Sequence, residues 1–122
     1  MKDYIELKKC GCFYNVYNED CYILFYFFKY KINNNKTGFH VKNINKILNK
    51  LDFYKVNYII NNQKHDFNKL NTYNHYKELG KIKYYEYLTL KDIENKILKL
   101  DDKKLKKIYD LLKEEIWIMN LR

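Results

Sequence analysis

The chain of 122 residues contains no proline, no serine and no alanine, and only three glycines. Without serine there is no Ser-His-Asp triad and no Ser-Lys pair, because the nucleophile does not exist. Gly11, Gly38 and Gly80 lie far apart, so no glycine-rich loop can cradle a phosphate, which removes P-loop and dinucleotide-fold readings. Three cysteines with no Cys-x-x-Cys spacing read as reduced thiols and not as a disulfide framework. Cys10, Cys12 and Cys21 with His40 come nearest to a zinc set, but buried free thiols are the commoner outcome, so no metal and no cofactor is expected. The longest apolar run, Cys21 to Phe28, is too short to cross a hydrocarbon core. The acidic residues at the start leave no apolar signal region. A cytoplasmic chain with no membrane partner is therefore expected.

What the chain does have is aromatic residues and lysine. Fourteen Tyr and seven Phe exclude a disordered polar chain. The net charge is +9, and it is concentrated: residues 29–83 hold twelve Lys against Asp52, Asp66 and Glu78. A basic stretch of this kind is the electrostatic footprint of a polyanion partner, since binding releases counterions condensed on phosphates. Arg122 is the one arginine. The bidentate base contacts that arginine supplies are thus largely missing, and AT-rich coding accounts for the same Lys-Asn-Tyr bias.

The hydropathy pattern predicts an α+β fold in a single domain over 1–122, with a mixed sheet flanked by helices and two amphipathic helices at the C-terminus. Strands are expected at Tyr4–Lys8, Cys12–Tyr17, Lys55–Ile60 and Lys81–Leu88. Cys21–Lys29, behind the capping residues Asn18, Glu19 and Asp20, reads as a short buried helix or, by periodicity alone, equally as a buried strand. Ile44, Ile47, Leu48 and Leu51 mark one face of a helix that carries Lys42, Lys46 and Lys50 on the other. Residues 63–80 read as a surface loop, and 89–119 as a helical pair opened by Thr89 and Asp92 and re-opened by Asp101 and Asp102.

Gly11-Cys12-Phe13-Tyr14-Asn15-Val16-Tyr17-Asn18-Glu19-Asp20 resembles the Gly-Asp-Phe-Tyr-Glu…Glu-Asp segment of the MutS family's N-terminal mismatch-recognition domain. The similarity continues in order: a strand-like run before it, an apolar helix after it, Gly38-Phe39-His40 opening an amphipathic helix, and a strand at Tyr54–Ile60. It spans about residues 4–62. The resemblance implies that Phe13 wedges beside a mispaired base, a chemistry that suits a weakened base step. Asn15 stands where the family has the glutamate of its Phe-x-Glu motif, and Cys12 where it has an aspartate. The chain has no room for the clamp and ATPase domains of a repair protein. The expected function is a non-catalytic DNA- or RNA-binding module, a stand-alone form of that domain suited to a phage or mobile element. Phe13 and Asn15 would be at the base, and Lys42, Lys46, Lys50 and Lys55 at the phosphates.

Other residue sets point elsewhere. Glu6-Leu7-Lys8 fits half of a metal-dependent nuclease core but lacks an upstream aspartate on a neighbouring strand. The other reading for the chain is a small phage-type inhibitor that binds a host defence nuclease through protein or guide-RNA contacts. Trp117, Ile118 and Met119 would then form the apolar strip that meets the partner.

Overall fold

The computed structural model describes residues 2–69 and 71–120, with 114–120 given by backbone alone. Five strands form one mixed sheet: β1 (Ile5–Cys10), β2 (Phe13–Tyr17), β3 (Lys36–His40), β4 (Tyr58–Ile60) and β5 (Gln63–His65). Their spatial order is β3-β2-β1-β4-β5. All neighbours are antiparallel except β1 and β4, which run parallel, with Ile5 opposite Tyr58 and Leu7 opposite Ile60. The helices are α1 (Asp20–Phe28), α2 (Ile44–Phe53, entered by a 3-10 turn over Val41–Asn43), α3 (Thr72–Leu98) and α4 (Asp102–Asn120). The α+β class is as expected, and contacts divide the chain into two compact units, Met1–Tyr85 and Glu86–Arg122.

The first unit holds the whole sheet. Alternation turns Ile5 and Leu7 of β1, Tyr14 and Val16 of β2, Phe39 of β3 and Tyr58 and Ile60 of β4 to one face. Ile23 and Leu24 of α1, Ile47 and Leu51 of α2 and Tyr73 of α3 complete the same core. α1, α2 and the first turns of α3 thus cover one face of the sheet. The other face, with Lys8, Cys10, Phe13, Tyr17 and Gly38, is exposed.

The scarcity of glycine is met by asparagine, whose short polar side chain tolerates left-handed backbone. Asn34 with Asn35, and Asn61 with Asn62, have positive φ at both central positions of two-residue turns, as a type I′ turn requires. The second pair closes the β4–β5 hairpin. α2 ends in a Schellman arrangement: Val56 N–H donates to the Leu51 carbonyl at 2.9 Å and Lys55 N–H to that of Asp52 at 3.2 Å, with Lys55 at φ 58°.

Three expectations need correction. The strand over Lys81–Leu88 is helix, part of α3. Tyr and Ile favour strands locally, but Tyr73, Tyr76, Gly80 and Tyr84 recur at helical spacing and pack on α1, and that burial overrides propensity. Residues 63–80 are no surface loop, since they contain β5 and the first turns of α3. Thr89 and Asp92 open no helix; they lie within α3, where Asp92 pairs with Lys96 at 3.2 Å. The second unit holds the rest of α3 and α4, and here Asp101 caps as expected, its carboxylate accepting from Lys104 N–H at 2.8 Å.

Tyr58 ties β4 to α2 by donating its hydroxyl to Asp52 Oδ1 at 2.9 Å. Burial first, then the Asp52 carboxylate, push its pKa up to about 12. The unfolded phenol ionises near 10. The stabilisation is therefore complete below about pH 10 and is lost as pH rises towards 12. Urea midpoints are expected to hold from pH 7 to about 9.5 and fall above it. Tyr58→Phe should remove on the order of 2 kcal/mol of that alkaline decline. An equal decline in the variant would show that Tyr58 is not the linked group.

Candidate nucleic-acid interface

The two-residue turn Gly11-Cys12 joins β1 to β2, and Gly11 takes a positive φ of 61° there. The turn sets the register Cys10 opposite Phe13 and Lys8 opposite Asn15. On its other side β2 places Phe13 opposite His40 and Asn15 opposite Gly38. Directly opposed residues share a face, so two rows cross the uncovered side of the sheet: Cys10, Phe13 and His40, then Lys8, Asn15 and Gly38.

Phe13 is 51% exposed and meets the His40 ring edge-on, with centroids 5.7 Å apart. His40 Nδ1 accepts from Lys42 N–H at 3.1 Å, capping the 3-10 turn and placing its own ring between Phe13 and the start of α2. The Asn15 amide lies across Gly38: a Cβ built there would fall 2.5 Å from Asn15 Oδ1. Asn15 is thus folded flat on the sheet beside Phe13, with Lys8 on its other flank.

The expected lysine shelf is divided. Lys42 lies in the 3-10 turn before α2, where its amide donates to His40 Nδ1. Lys46 and Lys50 lie on the helix side of the sheet, because α2 turns Ile47 and Leu51 into the core beneath the inward face. Lys46 Nζ sits 5.4 Å over the Phe28 ring and Lys50 Nζ 5.8 Å over that of Tyr54. Lys55 follows α2 and lies 5.5 Å over Phe67. Helical periodicity put the lysines on one stripe, but it could not say on which side of the sheet that stripe would fall.

Charge pairing separates the lysines further. Among the described residues, Lys42, Lys46, Lys50 and Lys55 stand in none of the ion pairs. Lys2, Lys64, Lys77 and Lys81 are each held by a carboxylate. Lys81 and Lys77 both reach Glu19 and hold its carboxyl below the ordinary range. Glu6 and Lys8 face each other loosely at 3.9 Å, and Asp3 is turned to Lys64 at 3.4 Å. Among the described residues no group of three His, Cys, Asp or Glu is placed to hold a metal.

Sequence reasoning missed a buried centre at Asp20. Expected only as a helix cap, it is 2% exposed and accepts from Glu6 N–H at 2.9 Å, Lys2 Nζ at 2.7 Å and the Tyr73 hydroxyl at 2.5 Å. A cleft of about 450 Å³ opens beside it, with Lys2, Lys8 and Lys77 facing Glu6, Glu19 and Asp20. That balance of charge gives a polyanion nothing to bind. The buried Cys21 thiol is pushed up by burial, which keeps it protonated and inert. Cys10 and Cys12 are exposed.

In the second unit Leu90, Leu98 and Leu111 are exposed. The side chains of Trp117, Ile118 and Met119, expected to meet a protein partner, lie outside the described residues. Among the described residues no helix is long and apolar enough to cross a membrane. No family model, curated protein or solved structure matches the chain.

Proposed function

We propose that the chain is a non-catalytic nucleic-acid-binding module, a divergent form of the mismatch-recognition domain it resembles. The observation that carries this reading is the exposed Phe13 ring on the exposed sheet face, in one row with His40, whose Nδ1 accepts from the Lys42 amide. The half of the Phe13 ring left open to water can enter a base step already weakened by mispairing. Asn15 offers the neighbouring base an amide in place of a carboxylate, so it can donate as well as accept and discriminates less by charge. Lys42 adds phosphate attraction without sequence content.

The test is binding of the full chain to labelled matched and mismatched duplexes across a salt series. Binding should weaken linearly in log[salt], and Lys42→Gln should reduce the slope by about one. Phe13→Ala leaves the core untouched and should weaken mismatched duplex more than matched, by about tenfold. Absence of binding to either duplex at low salt, or a Phe13→Ala chain that binds as the parent does, would refute the reading.

A further inference from the structure

Away from the Phe13 face, on the helix side of the first unit, two shallow clefts of about 540 and 470 Å³ adjoin at Tyr54, which lines both. Lys46, Lys50 and Phe53 line the first, and Lys55 and Lys69 the second. Among the described residues no carboxylate lines either cleft. The nearest acid along the chain, Asp52, is engaged by the Tyr58 hydroxyl.

Phe53, the last residue of α2, is 75% exposed and stands edge-on to Tyr54 at 4.9 Å. Its lysine neighbours rest against rings and not against acids. Lys46 lies over Phe28 and Tyr30, Lys50 over Tyr54 and Lys55 over Phe67. Such contacts hold an ammonium in place without neutralising it. The result is an exposed stacking surface in a trough of uncompensated positive charge.

We propose that these joined clefts are a second nucleic-acid site, and that it takes a single-stranded segment with one base stacked on Phe53 and its phosphates along Lys46, Lys50, Lys55 and Lys69. The inference rests on the nucleic-acid reading above and adds a substrate form and a separate location. Stacking on an open ring requires an unpaired base, and every base has a π-face, so the site tolerates any sequence. Lysine ammonium groups attract phosphates as point charges and read no base edges, which agrees with that tolerance. Since α2 packs on the inward face of the sheet, Phe53 and Phe13 serve different sides of the unit and act independently.

Fluorescence anisotropy of the full chain with a labelled oligo-dT strand and with a mismatched duplex tests this directly. Phe53→Ala should weaken oligo-dT binding by about tenfold and change duplex binding by less than about twofold. Phe13→Ala should do the reverse. Lys50→Gln and Lys55→Gln should each lower the single-strand salt slope by about 0.7. A 2-aminopurine base in the strand should be quenched by the parent chain and not by Phe53→Ala. Unchanged oligo-dT binding in Phe53→Ala, equal loss on both probes, or duplex binding with none to oligo-dT would each overturn the second site and leave the first standing. Binding to neither probe would remove both.

Discussion

Replacing Asp20 with alanine is expected to destabilise the first unit by about 3–4 kcal/mol, as removal of one member of a buried, hydrogen-bonded charge set does. One carboxylate accepts three donors from three places: Lys2 before β1, the Glu6 amide within β1, and the Tyr73 hydroxyl at the start of α3. β1 pairs with β2 only from Lys8 onward, and Asp20 takes up the Glu6 N–H left without a strand partner on that side. Alanine would orphan that amide and the Tyr73 hydroxyl together, and each buried unsatisfied group costs about 1–3 kcal/mol. Asp20→Asn keeps the shape and one acceptor oxygen, so about half the loss is expected. For a unit of this size the alanine variant should melt about 12 °C or more below the parent. A shift of only a few degrees would mean that the three contacts are not held together in solution.

Gly80→Ala is expected to be the next most damaging change, and its sign opposes helix propensity. In an exposed helix interior alanine is favoured over glycine by about 1 kcal/mol. At Gly80, however, an added Cβ would run into the Tyr22 carbonyl oxygen and lie 2.6 Å from its carbonyl carbon. Two helix backbones meet there, and backbone cannot rotate away as a side chain can. The rings of Tyr84 against Phe25 and of Tyr76 against Tyr26 pin the same crossing on either side. The net cost should be at least about 2 kcal/mol, read as a lower urea midpoint with little change in its slope. Asn74→Ala, at an exposed position of the same helix, should be neutral or slightly stabilising. A Gly80→Ala chain as stable as the parent would mean that α3 does not lie against Tyr22.

Much of the architecture is legible residue by residue. The spacing of Ile44, Ile47, Leu48 and Leu51 marks the buried face of α2, and Ile47 and Leu51 are fully buried. Alternation across Phe13 to Tyr17 gives β2 its inward Tyr14 and Val16. Asp101 caps α4 through the mechanism its residue type suggests. Where local signals compete, the reading fails. Lys81–Leu88 is rich in strand-favouring Tyr and Ile, and only the contact of Tyr73, Tyr76, Gly80 and Tyr84 with α1 resolves it as helix. Asn61-Asn62 between two short runs was a hairpin signal, obscured by the polar residues of β5.

The two proposed binding surfaces were legible as ingredients and not as an arrangement. Composition and order along the chain determined an α+β body, an excess of lysine in residues 29–83, a phenylalanine in a tight turn-strand segment and an outward lysine stripe on α2. All of these follow from periodicity and residue chemistry over a few turns of chain. Tertiary structure alone decided that Phe13 lies opposite His40 on the bare side of the sheet, that Lys46 and Lys50 fall on the other side with Phe53, and that Asp20 is buried. The reason is physical: strand register and helix placement are set by contacts between residues far apart in sequence, and a local pattern contains no record of which distant partner will satisfy it.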